Sequence, residues 1–231
     1  VIGSGSGNSL IDERFSDLRV ALVDKGVFGG TCLNVGCIPT KMFVRAADMA
    51  AVGPDAARVG VQIREARADW PAIRDRIFGR IDPISEAGED WREQNEHVTL
   101  FREEAHFVGP KTLDVGAEQI TADTFVLAAG SRPRLPDVPG FEDFATRIHT
   151  SDSVMRMQHL PKSMIIIGGG FVAAEFAHIF SALGVAVTVI NRSDVLLRQQ
   201  DREIAEAFTA ELGERVTLRL NQFLDGFERG S

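Results

Sequence analysis

Cysteine is scarce. Only Cys32 and Cys37 occur in 231 residues, too few for the disulfide framework of a small secreted domain, so a reducing cytoplasm is the default compartment. An excess of basic residues is also missing: Lys and Arg number 25 against 33 Asp and Glu, a formal net charge of −8. That balance argues against nucleic acid and anionic membrane surfaces as partners, because phosphate binding needs clustered cations. The longest run of apolar residues and glycine, Met164 to Ala174, falls short of the roughly 18 that a membrane span needs. None of His97, His106, His149, His159 and His178 stands at finger-like spacing to either cysteine, which ranks a zinc site last and leaves no metal expected. With no long polar tract and 44% hydrophobic residues, the chain reads as globular, one large or two modest domains with real cores.

What is present begins with glycine. Val1-Ile2 followed by G-S-G-S-G-N-S, Gly3 to Ser9, reads as a strand end turning into a helix through Leu10, Ile11 and Phe15. The apolar run Arg19 to Asp24 closes a βαβ unit. In such a unit glycines let main-chain N–H groups approach a pyrophosphate, and a carboxylate at Asp24 can bind a ribose diol. Asn8 occupies the third glycine place, so the turn alone also fits an ordinary glycine-rich loop.

A helix is expected over Ile38 to Val52, with Pro39 in its first turn and Gly53-Pro54 ending it. A second helical region runs from Asp69 to about Asn95, with Trp70, Ile73, Ile77, Ile81 and Ile84 spaced as one buried stripe. His97–Phe101, Ala105–Val108, Thr112–Val115 and Gln119–Thr121 read as an antiparallel meander, and Thr124 to Ala129 as a further strand. Prolines 133, 136 and 139 make an extended connector. It separates a domain over 1–145 from one over 146–231. In the latter, strand Met164–Ile167, a helix reaching Leu183 and strand Val185–Ile190 form a second βαβ unit. The fold class is therefore α/β with two Rossmann-like units, each expected to carry a small antiparallel meander.

The second turn is the more specific. Gly168, Gly170 and Ala173 fit G-x-G-x-x-A directly after a strand and at the opening of a helix. After the next strand come Asn191-Arg192 and then Arg198, where a binder of the 2′-hydroxyl would carry Asp or Glu; two guanidiniums there can grip a 2′-phosphate, which points to NADPH. Solvated surface arginines, partly offset by Asp194, are the competing reading.

Between the two units, G-G-T-C-L-N-V-G-C-I-P-T-K runs from Gly29 to Lys41. A C-x-x-x-x-C pair can be a zinc half-site, a structural disulfide or a redox dithiol. So short a disulfide loop yields little entropy and is unexpected in the cytosol. A redox pair fits better: Cys37 opens a helix, where the dipole favours thiolate, and Lys41 follows one turn later.

That segment strongly resembles the redox-active stretch of the FAD-dependent pyridine nucleotide–disulfide oxidoreductases, the family of glutathione reductase, dihydrolipoamide dehydrogenase and mercuric reductase. The resemblance spans the chain, through Gly3 to Ser9, Asp24, A-A-G-S-R-P at 128–133 and Gly168 to Ala173. F-G-R-I-D-P-I (78–84), G-E-D-W-R (88–92), H-T-S-D-S-V-M-R (149–156) and A-A-E-F-A-H-I-F-S-A-L-G (173–184) resemble the mycothione reductase subfamily within it.

The resemblance implies FAD held by Gly3, Gly5, Ser6, Gly7, Asp24, Lys25, Gly30, Thr31, Cys37, Lys41, Ala105, Ala129, Gly130 and Ser131. It implies NADPH held by Gly168, Gly170, Phe171, Val172, Ala173, Glu175, Asn191, Arg192 and Arg198. NADPH would reduce the flavin and the flavin a Cys32–Cys37 disulfide, with Cys37 as the thiolate nearer the flavin and Cys32 as the interchange thiol. Lys41 would pair with Glu175 close to the flavin; a solvated carboxylate is the plain reading of Glu175. The family's catalytic His–Glu pair and dimer interface belong to a C-terminal domain expected beyond Ser231. The chain is thus expected to be truncated at both ends, to bind FAD poorly alone and to turn over little, while the whole protein is a cytoplasmic homodimer acting on a small thiol disulfide. Dihydrolipoamide dehydrogenase, a mercuric or glutathione reductase, or a nucleotide-binding protein without turnover are the alternatives.

Overall fold

Val20–Val23 (β1) carries no charge and is β-branched at both ends, and it pairs in parallel with β2, Val98–Phe101. Parallel pairing requires a crossover, and the intervening residues supply it. The computed structural model describes residues 1–63 and 67–228; the end of the expected second domain at Gly230-Ser231 lies outside them. Ile2 bridges both Val23 and Leu127 in parallel. Parallel pairing thus extends β1 on the side away from β2.

Packing divides the chain into two units: Val1–Pro39 with Arg76–Arg132, and Thr40–Asp75 with Pro133–Ser231. This grouping interleaves the chain because α2, Cys37–Arg58, and α3, Trp70–Glu93, each run across the division. The expected domains are consecutive stretches defined by nucleotide assignment instead.

In the first unit, Ile11, Leu22, Phe28 and Val98 form one buried cluster and Val23, Leu113 and Val115 another. The short helix α1, Gly30–Asn34, precedes α2. The first glycine-rich turn leads into a 3₁₀ turn, Ser6–Leu10, followed by a second at Glu13–Phe15, where a helix through Phe15 was expected. The meander is three-stranded, β3 (Ala105–Gly109), β4 (Thr112–Val115) and β5 (Glu118–Thr121), all antiparallel. The stretch His97–Phe101, expected in that meander, instead supplies β2; pairing partners distant in sequence leave no local trace. The stretch Thr124 to Ala129 contributes only the bridge at Leu127.

The face of α3 in this unit runs through Ile77, Phe78, Ile81 and Ser85, all buried, whereas Ile84 is 57% exposed. The helical phase continues from Ile81 to Ser85, whose hydroxyl donates to the carbonyl of Phe28 at 2.5 Å. The expected stripe therefore ends at Ile81 and a polar residue takes the next buried place. Likewise α2 continues past Gly53-Pro54 to Arg58, although a proline removes one intrahelical hydrogen bond and crowds the preceding turn.

In the second unit, α4 (Phe141–Phe144) and α5 (Ser151–Val154) lead to β6, Ser163–Ile167, then α6, Phe171–Ala182, and β7, Ala186–Ile190. Helix α7, Arg202–Gly213, and β8, Thr217–Arg219, follow. The order β6-β7-β8 is wholly parallel, so among the described residues the meander expected in this second domain is not found. Helix α6 buries Phe176, Ala177, Ile179 and Phe180. Phe180 meets Trp70, which stacks on Phe43 with ring centroids 5.0 Å apart. Each of these aromatic side chains contributes about 1.5–3 kcal/mol by burial. The Trp70 indole N–H is satisfied by the carbonyl of Met157 at 2.7 Å.

Candidate functional site

The site in the first unit is built from glycines. Gly3 has φ +108, and a Cβ there would fall 2.1 Å from the carbonyl oxygen of Ala128. Gly7 is closed in by the Ala128 methyl, 2.6 Å from where its Cβ would stand. At Gly30, φ is +69 and a Cβ would lie 2.5 Å from the Cα of Gly5. Main chain therefore rests on main chain, and the start of α1, two residues before Cys32, abuts the first glycine-rich turn. No side chain caps the 3₁₀ turn at Gly5, and the first N–H groups of such a turn have no internal partner. An amide cradle of this kind suits a phosphate.

Asp24 follows β1 directly and ties this cradle together. Its Oδ2 accepts from the Ser4 amide at 2.7 Å and the Ser4 hydroxyl at 2.6 Å, and its Oδ1 accepts from the Gly26 amide at 2.8 Å. Ser4 Oγ in turn accepts from the amide of Gly29 at 2.9 Å. Ser4 is buried and was not among the expected site residues; its small hydroxyl between two glycines was the available signal. Lys25 ion-pairs with Glu104 next to Ala105. Ser6, Thr31, Ala129, Gly130 and Ser131 are exposed. Gly130 has φ +73 and no atom within 4 Å of a built Cβ.

Cys32 and Cys37 are both free thiols and exposed. They are partners: the hydrogen bond to Cys37, then local desolvation, then the neighbouring charge of Cys37 push the Cys32 thiol above its ordinary pKa, against the pull of the main-chain N–H groups of Cys37 and Ile38. The N-terminal amides of α2 thus act on Cys32 in the direction that favours its thiolate. Asn34 braces the loop between the two sulfurs, its amide donating to the carbonyls of Phe28 at 2.8 Å and Gly30 at 3.1 Å.

A raised pKa means that the folded chain holds the Cys32 proton more tightly than the unfolded chain. The resulting stability is present at low pH and fades as pH rises through the raised value. Alkylation of the reduced pair by iodoacetamide, followed by peptide mass spectrometry, is expected to keep accelerating at Cys32 beyond about pH 8.5, the midpoint of an ordinary thiol. A Cys32 profile centred below that pH would refute the assignment.

The second unit holds a cavity of about 510 Å³ lined by Gly168, Gly169, Gly170, Phe171, Asn191, Arg192, Arg198, Gln222 and Phe223 among others. Gly170 is the N-cap of α6, with no side chain capping it, so the helix offers free amides and the positive end of its dipole to the cavity. Gly168 adopts φ +122. Phe171, which lines the cavity, and Val172 are exposed, and Ala173 is half-buried. Asn191 is turned away: its amide donates to the carbonyls of Val195 at 2.8 Å and Ser193 at 3.3 Å, bracing the loop that carries the arginines. A Cβ on Gly169 would fall 2.6 Å from the Asn191 side chain, a close approach that the glycine motif did not reveal. Leu197 holds φ +52, and its amide donates to the Gly169 carbonyl at 2.6 Å.

Asp194 does not offset Arg192 or Arg198. It pairs with Arg202 at 2.8 Å, and that guanidinium holds its carboxyl below the usual range. Both cavity arginines are exposed, and among the described residues neither is in an ion pair. Lys41 on α2 is ion-paired with Glu175 on α6. One turn further along α6, His178 Nε2 lies 2.8 Å from Asp48 Oδ1 of α2, and His178 Nδ1 lies 3.0 Å from Arg215 Nη1. An arginine can only donate, so Nδ1 accepts and Nε2–H faces Asp48. Two polar pairs thereby lace α2 to α6.

The sequence matches the pyridine nucleotide-disulphide oxidoreductase family over residues 1–230. It is 46% identical over its whole length to mycothione reductase of Mycobacterium tuberculosis, of which it spans 51%. It is 34% identical to glutathione reductase of Nostoc sp. over 88% of this chain and 44% of that protein. The fold is similar to that of the HOCl-induced flavoprotein disulfide reductase RclA from Escherichia coli in its Cu(II) complex, with TM-score 0.83, 23% identity, and coverage of 99% of this chain and 50% of that one. The chain spans about half the length of the curated relatives it matches. Among the described residues no helix is long and apolar enough to cross a membrane.

Proposed function

Since the chain belongs to the pyridine nucleotide-disulphide oxidoreductase family, whose members use FAD and NAD(P)H, we propose that it forms the nucleotide-binding and redox part of an NADPH-dependent flavoprotein reductase of mycothione. The observation that carries this reading is the seating of Gly30 on Gly5. It sets the thiol segment directly on an amide cradle suited to the diphosphate of FAD.

The residues fit both nucleotides. Gly3, Gly5, Ser6 and Gly7 would present amides to the FAD diphosphate, and Asp24 would order the cradle through Ser4. Gly168, Gly170 and the start of α6 would take the diphosphate of NADPH, with Arg192 and Arg198 on its 2′-phosphate. FAD, when bound, supplies the two-electron relay between nicotinamide and disulfide. Functionally, 1–145 is assigned to FAD and 146–231 to NADPH.

The thiols divide the remaining chemistry. Reduced Cys32 attacks one sulfur of the substrate disulfide, forming a mixed disulfide and releasing one substrate thiolate. Cys37 then attacks the Cys32 sulfur, releasing the second substrate thiol and closing the Cys32–Cys37 disulfide. Two electrons leave the pair and two substrate thiols form. Because the Cys32 proton is held tightly, the first attack requires a base, which the whole protein would provide at a homodimer interface in the cytoplasm.

The test is the full-length protein assayed for NADPH consumption. Turnover with mycothione and none with oxidised glutathione or lipoamide is expected; equal rates on all three would refute the substrate assignment.

A further inference from the structure

We propose that Arg92 is a positioning residue for the flavin nucleotide: its buried guanidinium clamps the carbonyl end of the first glycine-rich turn, so that the amide end stays presented to the FAD diphosphate. This rests on the FAD assignment above. Arg92 lies in the last turns of α3, in phase with the buried residues Phe78, Ile81 and Ser85, and is itself only 3% exposed. From there Nε donates to Asn8 Oδ1 at 2.6 Å, and Nη2 donates to the carbonyls of Asn8 and Ile11, each at 2.8 Å. Asn8 is the residue that replaces the third glycine of the motif. The substitution and the arginine therefore form one contact.

This arrangement is costly. Among the described residues no carboxylate pairs with Arg92, and its Nη1 is buried without a hydrogen-bond partner. Burial alone lowers its pKa from the ordinary value, yet a guanidinium stays charged. The Trp91 ring centroid lies 4.3 Å from the Arg92 Cζ, yet a methionine or leucine at this point of the stripe would fill the space without burying a charge that no carboxylate among the described residues pairs.

The arginine does two things that an apolar residue cannot. It adds a second donor to the Asn8 carbonyl, which the Ile11 amide already reaches at 3.2 Å, and supplies a donor to the Ile11 carbonyl just beyond the 3₁₀ turn. It also places positive charge at the negative end of the turn's dipole. A dianionic diphosphate at the opposite end would supply the counter-charge that no carboxylate among the described residues provides.

The experiment titrates full-length apoprotein with FAD, following flavin fluorescence, and measures NADPH binding on the same preparations. Arg92→Met is expected to weaken FAD binding about 10- to 100-fold, the range for losing hydrogen bonds to a charged group. Arg92→Lys restores the charge without the fork and should fall between Met and wild type. NADPH affinity should stay at the wild-type value in both. Wild-type FAD affinity in Arg92→Met, or an equal loss of FAD and NADPH affinity, would overturn the proposal. Should the methionine variant fail to fold, Arg92→Lys decides: weakened FAD with unchanged NADPH supports the clamp, and unchanged FAD overturns it. Wild-type protein that binds no FAD would overturn the FAD assignment and the clamp together, whereas FAD binding indifferent to Arg92 overturns the clamp alone.

Discussion

Cys32→Ser in the full-length protein is expected to lower disulfide reduction by about 1,000-fold or more, on the scale seen when a covalent nucleophile is removed. NADPH binding should be untouched. A serine hydroxyl is far less acidic than even a thiol whose pKa has been raised by its neighbour, and it cannot form the mixed disulfide. Cys37→Ser should behave differently. Cys32 can still attack, but nothing resolves the product, so half of the substrate should remain on Cys32 and be seen as added mass on that peptide. Steady-state rates give the first result and mass spectrometry the second. Substantial turnover in Cys32→Ser, or substrate trapped on Cys37 and never on Cys32, would reverse the division of labour between the two sulfurs.

The second large effect is on nucleotide choice. Arg192→Ala with Arg198→Ala should reduce kcat/KM for NADPH by about 100-fold and change that for NADH by less than about 3-fold, because only NADPH carries the phosphate that two charge-assisted contacts would hold. The pairing of Asp194 with Arg202 strengthens the expectation, since it removes the carboxylate that could have neutralised the two arginines. An equal loss for both nucleotides would mean that the arginines merely shape the loop. Asn191 already has that work, through its bonds to the carbonyls of Ser193 and Val195.

The two glycine-rich turns, the second parallel βαβ unit and the thiol segment are legible in the sequence for a steric reason. Positive φ at Gly3 and Gly168, and main chain packed on main chain, admit glycine alone, so the requirement is written in residue type. The buried polar contacts are not written that way. Ser4, Asn34 and Arg92 are buried because each finds partners far along the chain, Arg92 with the carbonyls of Asn8 and Ile11. A hydrophobic pattern therefore runs on to Ile84, which faces solvent, and overlooks Ser85 and Arg92 on the buried face. The pairing of β2 with β1 escapes notice for a similar cause, since register between distant strands depends on what lies between them. At Asn191, position at the end of a strand suggested a nucleotide contact. The side chain's direction was fixed by the loop carbonyls instead.

The meeting of Gly5 and Gly30 has a mechanical consequence. Where two segments touch through side chains, rotamers and packing defects let their spacing drift as neighbours change. Here neither side has a rotamer, and the gap is gauged by the contact radii of two backbones. Substitutions elsewhere in the loop can retune thiol acidity or access for the disulfide. The separation between the main chain of the thiol segment and the amide cradle is set by that contact, like a shim machined to one thickness.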